Sequence, residues 1–201
     1  MQPVDFTVTK GFSDHERAQI AALYWEAFTQ KLHHVLGPED KALQFIAAHL
    51  HPDFALIARD TEGQILGVAG FKTQQGALIG GSLRDIAETY GWLSTCWRAP
   101  LLALVERDLV EGVLLMDGIC VSAQARGMGL GTALLNAIKQ EAATQGLNAV
   151  RLDVINTNPR ARALYQREGF REIGQENLGP FKYVFGFDSS TQMLCPIAPV
   201  P

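Results

Sequence analysis

Between Arg126 and Gly131 the chain reads RGMGLG, with glycines at 127, 129 and 131 directly ahead of an apolar helical pattern. Glycine weakens a helix, so three of them at its start mean either tight packing or a backbone that something must approach closely. Unpaired N–H groups and the positive end of the helix dipole suit such a place to an anion, a phosphate above all. Two side chains nearby could move protons. Asp117 lies inside the apolar run VLLMDGICV, where a buried carboxylate is costly unless paired or functional, so it is a candidate base. Its alternative is a loop cap or an arginine partner. Tyr165, in NPRARALYQREGF, offers a phenol donor, although an aromatic beside Ala161 and Leu164 also serves packing.

These residues need a frame. The chain has 201 residues, 47% hydrophobic and 19% charged, with a net charge of -4, which predicts one globular domain over 1–201. The acidic balance argues against a non-specific nucleic-acid partner. Cys96, Cys120 and Cys195 are odd in number and form no CxxC pattern, so a reducing, cytoplasmic setting is expected, with neither disulfide nor zinc site. No leader pattern and no uncharged span of about 18 residues is present, so neither export nor membrane insertion is expected.

Alternation of Val4, Phe6 and Val8 predicts a first strand, and Ser13 with Glu16 forms a capping box ahead of a helix whose face carries Ile20, Leu23, Tyr24, Ala27 and Phe28. A second helix follows Pro38 and stops at His51-Pro52. FALIARD and QILGVAGFK flank TEGQ as a hairpin. The segment 74–112 reads as a helical insert of two stretches split near Pro100. VLLMDGICV, the glycine-led helix, AVRLDVI, a helix capped by Asn158 and a last pair of strands complete the chain. The order predicts an α/β fold, a mixed six- to seven-stranded sheet flanked by helices.

A nucleotide P-loop needs GK[ST] after its glycines, and GMGLGT has no lysine. A dinucleotide site needs G-x-G-x-x-G, whereas the spacing here is G-x-G-x-G; Asp153 stands where a ribose-binding acid would, so a nucleotide-dependent oxidoreductase stays as an alternative. Two motifs together favour another reading. RGMGLG has the form R-x-x-G-x-G, and Asn158, Ala161, Leu164, Tyr165, Gly169 and Phe170 match N-x-x-A-x-x-L-Y-x-x-x-G-F. In both, the chain resembles the GNAT superfamily of N-acetyltransferases, sharply from about Val113 to Phe170 and by element order elsewhere. The long 74–112 segment departs from the pattern.

The resemblance implies a GNAT-like acyl-CoA N-acyltransferase fold and acetyl transfer from acetyl-CoA to a primary amine, by direct attack in a ternary complex. It implies that the backbone of Ile119, Cys120 and Val121 pairs with the pantetheine arm, and that Arg126, Gly127, Met128, Gly129, Leu130, Gly131 and Thr132 hold the pyrophosphate. Asn158 would orient the pantetheine or help keep neighbouring strands apart, and Tyr165 would lie near the thioester sulfur as general acid. A non-catalytic acyl-CoA-binding sensor is the other alternative. Cys120 is expected to pack rather than to form an acyl-enzyme. His33, His34, His49 and His51 are read as solvated helix ends, with no metal. The acceptor, a small-molecule or peptide amine, stays open; Trp25, Phe28, Tyr90, Trp92 and Trp97 are candidate lining, or core beneath the insert. Asp85 and Glu88 either meet a cationic amine or are exposed helix acids. A homodimer stays open.

Overall fold

The computed structural model describes residues 5–197 except 106. Val4 and the proline-rich tail lie outside the described residues. In chain order the elements are β1 (Phe6–Lys10), α1 (Arg17–Leu36), α2 (Glu39–His49), β2 (Ala55–Asp60), β3 (Ile65–Thr73), β4 (Gly76–Ala77), α3 (Leu83–Tyr90) and α4 (Trp92–Val105). There follow β5 (Val113–Val121), α5 (Leu130–Thr144), β6 (Ala149–Ile155), α6 (Pro159–Arg167), β7 (Arg171–Asn177), α7 (Lys182–Phe185) and β8 (Ser189–Pro196). The sheet runs β1-β2-β3-β5-β6-β8-β7, and the two-residue β4 on β3 makes an eighth strand beyond the six or seven expected. Among the described residues only β5 and β6 pair in parallel, which is where α5 makes the crossover.

Two apolar clusters cover the two faces of the sheet. Leu130, Leu134, Leu135 and Ile138 of α5, with Tyr165 and Phe170, pack on Leu114, Met116, Val150, Leu152 and Val154. Ile20, Trp25, Phe45, Ile46, Ile86 and Tyr90 of α1, α2 and α3 pack on Ile57, Ile65 and Val68. The period-2 strands thus hand alternate residues to the two faces, as a sheet between helical layers requires.

The split in segment 74–112 lies at Gly91, not near Pro100. Gly91, at φ +82°, is the residue that can take the turn after α3, and its N–H bonds the Ala87 carbonyl. Pro100 sits inside α4, where it removes one helix hydrogen bond.

The β5–β6 ladder is short. It runs from Val113/Ala149 to Met116/Leu152 and stops. Beyond it β5 stays with β3 through Val121, while β6 stays with β8 through Ile155. Phe71 pairs with Met116 and Gly70 with Gly118, so Asp117 is the extra residue of a β-bulge. A bulge bends its strand and ends pairing on one side. Asp117 therefore marks the point at which the sheet opens.

The joint between β1, α1 and β2 is polar. Glu16 accepts from Arg59 Nε at 2.9 Å and Nη2 at 3.0 Å, and from the Ser13 N–H at 2.7 Å. The Arg59 guanidinium holds the Glu16 carboxyl down at about 2. A carboxyl depressed in the folded state stabilises above its unfolded value, near 4.5, and that contribution is lost as pH falls toward about 2. Glu16→Gln should cost about 2 kcal/mol in urea unfolding at pH 7, and the gap to the parent should close below about pH 3; a gap independent of pH would refute the ion-pair account.

Candidate active site

The opening between β5 and β6 leaves the β6-facing edge of β5 from Gly118 to Val121 without a strand partner among the described residues. Ile119, Cys120 and Val121, expected to offer backbone bonds, all lie on this edge. At the end of the edge the Val121 carbonyl accepts from Arg126 Nε at 3.2 Å, and the Arg126 guanidinium also reaches Glu26 at 3.4 Å. Arg126 is exposed, so its charge stays largely hydrated.

The glycines divide by role. Gly127 and Gly129 have φ +83° and +84°, and a Cβ at either would meet nothing within 4 Å. Left-handed backbone explains why glycine stands there, and the empty space lets another group approach the amides. Gly129 is the N-cap of α5, whose first N–H groups lack helical partners. Met128 and Leu130 turn their side chains into the core beneath the loop. Gly131 differs: a Cβ there would lie 3.0 Å from Leu164 Cδ2, so the packing of α5 against α6 also favours glycine at this position. The Thr132 hydroxyl is likewise turned inward, onto Glu168 Oε1 at 2.9 Å.

Asn158 caps α6, its Oδ1 accepting from the Ala161 N–H at 3.1 Å. That leaves its amide donors free of the cap. Tyr165 is 8% exposed; its hydroxyl bonds no described residue but keeps solvent access. Burial, with Cys120 nearby, pushes the phenol up to about 12. Cys120 is 2% exposed, and burial with the Glu26 charge raises its thiol, so it holds its proton and is a poor nucleophile.

Asp117 is not the buried charge that its apolar strand implies. At the bulge it is exposed to solvent yet walled by protein on its other sides, with Lys72, Lys31 and the Leu78 N–H as neighbours. Enclosure pushes its carboxyl up to about 6, against the pull of Lys72, Lys31 and the Leu78 N–H. Over it lies one face of α1. Phe28 sits against Gly118, where a Cβ would be 2.3 Å from its ring, and Tyr24 packs on Phe28 with the rings tilted and their centroids 4.5 Å apart. Burial, then Asp117 and Cys120, pushes the Tyr24 phenol well above its ordinary value. Tyr24 and Lys31 were legible only as members of an amphipathic helix; the i, i+4, i+7 spacing 24, 28, 31 places them on the face toward the opening.

Across the opening from Asp117 stands Asp153, bound to Arg107 Nε. Arg107 also reaches Glu176 at 3.0 Å and Ser190 Oγ at 3.2 Å. Asp153 Oδ1 is buried without a partner among the described residues. Asp153 is thus held by an arginine of the α4–β5 connection, not offered to a ribose. A recess of about 440 Å³ adjoins, lined by Arg107, Glu176, Leu178, Pro180, Phe181 and Ser190 among others.

Other expected site residues lie elsewhere. Trp25 and Tyr90 are core, while Trp92 and Trp97 are 69% and 44% exposed on α4; of the five aromatics only Phe28 reaches the opening. Asp85 caps α3 through the Ser82 N–H and faces His49 at 3.6 Å, and Glu88 pairs with Arg84. Both acids thus have local partners on α2 and α3. His33, His34 and His51 are exposed, and among the described residues no cluster of three His, Cys, Asp or Glu side chains is placed to share an ion.

The family model described as the acetyltransferase (GNAT) family matches residues 17–170. Among solved structures, a GCN5-related N-acetyltransferase from Kribbella flavida superposes with a TM-score of 0.64 at 21% identity, over 96% of this chain and 98% of that one. The ribosomal-protein-S18-alanine N-acetyltransferase from Escherichia coli gives 0.59 at 15% identity, over 98% and 97%. A GNAT-family acetyltransferase from Streptococcus pneumoniae gives 0.58 at 18%, over 96% and 100%. At such identities these neighbours establish the shared fold.

The Phe28–Gly118 contact is open to a direct check. Gly118→Ala should force the Phe28 ring off β5 and lower stability by about 1–3 kcal/mol in denaturant unfolding, and the double variant with Phe28→Ala should recover some of that loss. Additive losses would mean that the two residues do not meet.

Proposed function

This chain belongs to the acetyltransferase (GNAT) family, which performs acyl transfer, and on that footing we propose that it moves an acetyl group from acetyl-CoA to a primary amine by direct attack in a ternary complex. The observation that carries the reading is the parting of β5 from β6 at Asp117, beside a left-handed glycine turn that opens α5. Open space over Gly127 and Gly129 fits a pyrophosphate against the amides of residues 127 to 132. The free edge of β5 at Ile119, Cys120 and Val121 fits an extended arm that bonds as an added strand would, and Asn158, with amide donors spare from the cap of α6, supports a role in orienting that arm. Bound there, acetyl-CoA supplies an acetyl thioester, an electrophilic carbonyl with a thiolate as leaving group.

Asp117 is the base. A primary amine near pKa 10.4 is mostly protonated at neutral pH, so a carboxylate must take its proton directly or through a water. A carboxyl at about 6 is still ionised at pH 7, and each unit of elevation narrows the gap to the amine by about 1.4 kcal/mol. Tyr165 is the donor to the departing sulfur. With its phenol at about 12 it keeps its proton throughout, and full transfer to a thiolate near 8.5 is uphill, so it acts by a hydrogen bond that strengthens as charge develops. A direct route is favoured because Cys120 holds its proton.

The first experiment is calorimetric titration with acetyl-CoA against NADH as control. Acetyl-CoA should bind and NADH should not; the reverse would return the oxidoreductase reading. Gly129→Val, strained at φ +84°, should abolish that binding in a protein that still folds. Thiol release with an amine panel should then show kcat/KM rising as pH passes about 6 and Asp117 ionises. Asp117→Asn should remove that limb and lower the plateau by about 10²-fold or more. Tight acetyl-CoA binding with no release from any amine would instead mark a sensor.

A further inference from the structure

The α1 face over the opening ends in Lys31, a cation that makes no direct ion pair among the described residues. Lys31 follows Phe28 by three residues, so its stem begins about 4.5 Å further along the helix axis than the ring that covers Gly118. It is half-buried, and among the described residues it makes neither a hydrogen bond nor an ion pair within 4 Å, although its nitrogen keeps access to solvent. Its charged neighbours are Arg107, Asp153 and Asp117. Arg107 is committed to Asp153, Glu176 and Ser190. Asp153 answers Arg107, and Asp117 is required at the reacting nitrogen. Burial and the Arg107 charge both disfavour the Lys31 ammonium. An ion held half out of water at the rim of a reaction cleft, with a like charge beside it and both of its acidic neighbours engaged elsewhere, is a place prepared for an anion brought by a ligand.

We propose that the acceptor amine carries a carboxylate, and that Lys31 binds it while the rest of the acceptor occupies the recess beside Arg107. The inference rests on the acetyl-transfer reading and names its substrate class: an amino acid or a similar amino carboxylate, with its nitrogen at Asp117 and its acid group at Lys31. Such a molecule matches the opening in charge at both ends, acid against ammonium and ammonium against acid. The recess of about 440 Å³ beyond Arg107 lies in the size range of small-ligand pockets. Its mix of Leu178, Pro180 and Phe181 with Glu176 and Ser190 suits a side chain that is partly apolar. The α4–β5 connection gains a role as well, since it delivers Arg107 to this wall.

The test compares each amino acid of a panel with its own carboxamide, at saturating acetyl-CoA, by thiol release. The parent should favour the best acid over its amide by 10-fold or more in kcat/KM, chiefly through KM. Lys31→Met should bring that ratio close to one, and Lys31→Arg should keep most of it. Turnover of acids and amides at equal rates, or an equal loss on both in Lys31→Met, overturns the carboxylate assignment and leaves acetyl transfer standing. Absence of acetyl-CoA binding in the parent overturns the transfer reading and this inference with it.

Discussion

Everything at the candidate site depends on one interruption of hydrogen bonding. β5 and β6 pair for four residues and then separate, because Asp117 bulges out of the β3 ladder and the two strands follow different neighbours. A continuous ladder would bury the β5 edge against β6 and leave no backbone for an arm to pair with. The opening is held from both faces. Phe28 lies against Gly118 on the α1 side, and α5 packs on Met116 and Leu152 from the other. The gap is therefore a fixed feature of the fold, lined by a free strand edge.

Burial sets the chemistry of the groups around that gap. It raises Asp117, Tyr165, Tyr24 and Cys120, and lowers Lys31, each toward its uncharged form. The effects differ in consequence. Asp117 moves close to neutrality and becomes a useful base, whereas the thiol and phenols move away from ionising and serve as proton holders. Solvent access at Asp117 and enclosure on its other sides are both needed, since a wholly buried acid would lose its charge and an open one would be a weaker base. The bulge supplies both.

Much of the frame was legible in residue order. The capping box at Ser13 and Glu16, the hairpin over TEGQ, the apolar strand before the glycines and the Asn158 cap all form as the pattern dictates. Local rules govern these elements, so local sequence reveals them. The α3–α4 break was misplaced because Pro100 is accommodated inside α4 at the loss of one helix hydrogen bond, while Gly91 takes a positive φ that the pattern does not display. Gly131 looked like its neighbours at 127 and 129, yet it answers to Leu164 on another helix.

The sequence by itself determined the alternation of strands and helices, the glycine turn ahead of α5, the phenol and cap of the GNAT pattern, and the lone acid in an apolar strand. These follow from side-chain periodicity and backbone preference, which act over a few residues. Tertiary structure alone decided that Asp117 keeps solvent access at a bulge rather than being sealed in its strand, that Tyr24 and Lys31 come near it, and that Arg107 crosses to Asp153. An amphipathic face reads the same whether it meets a core or a cleft. Only the register slip between β3 and β5, and the seating of α1 upon it, separates the two.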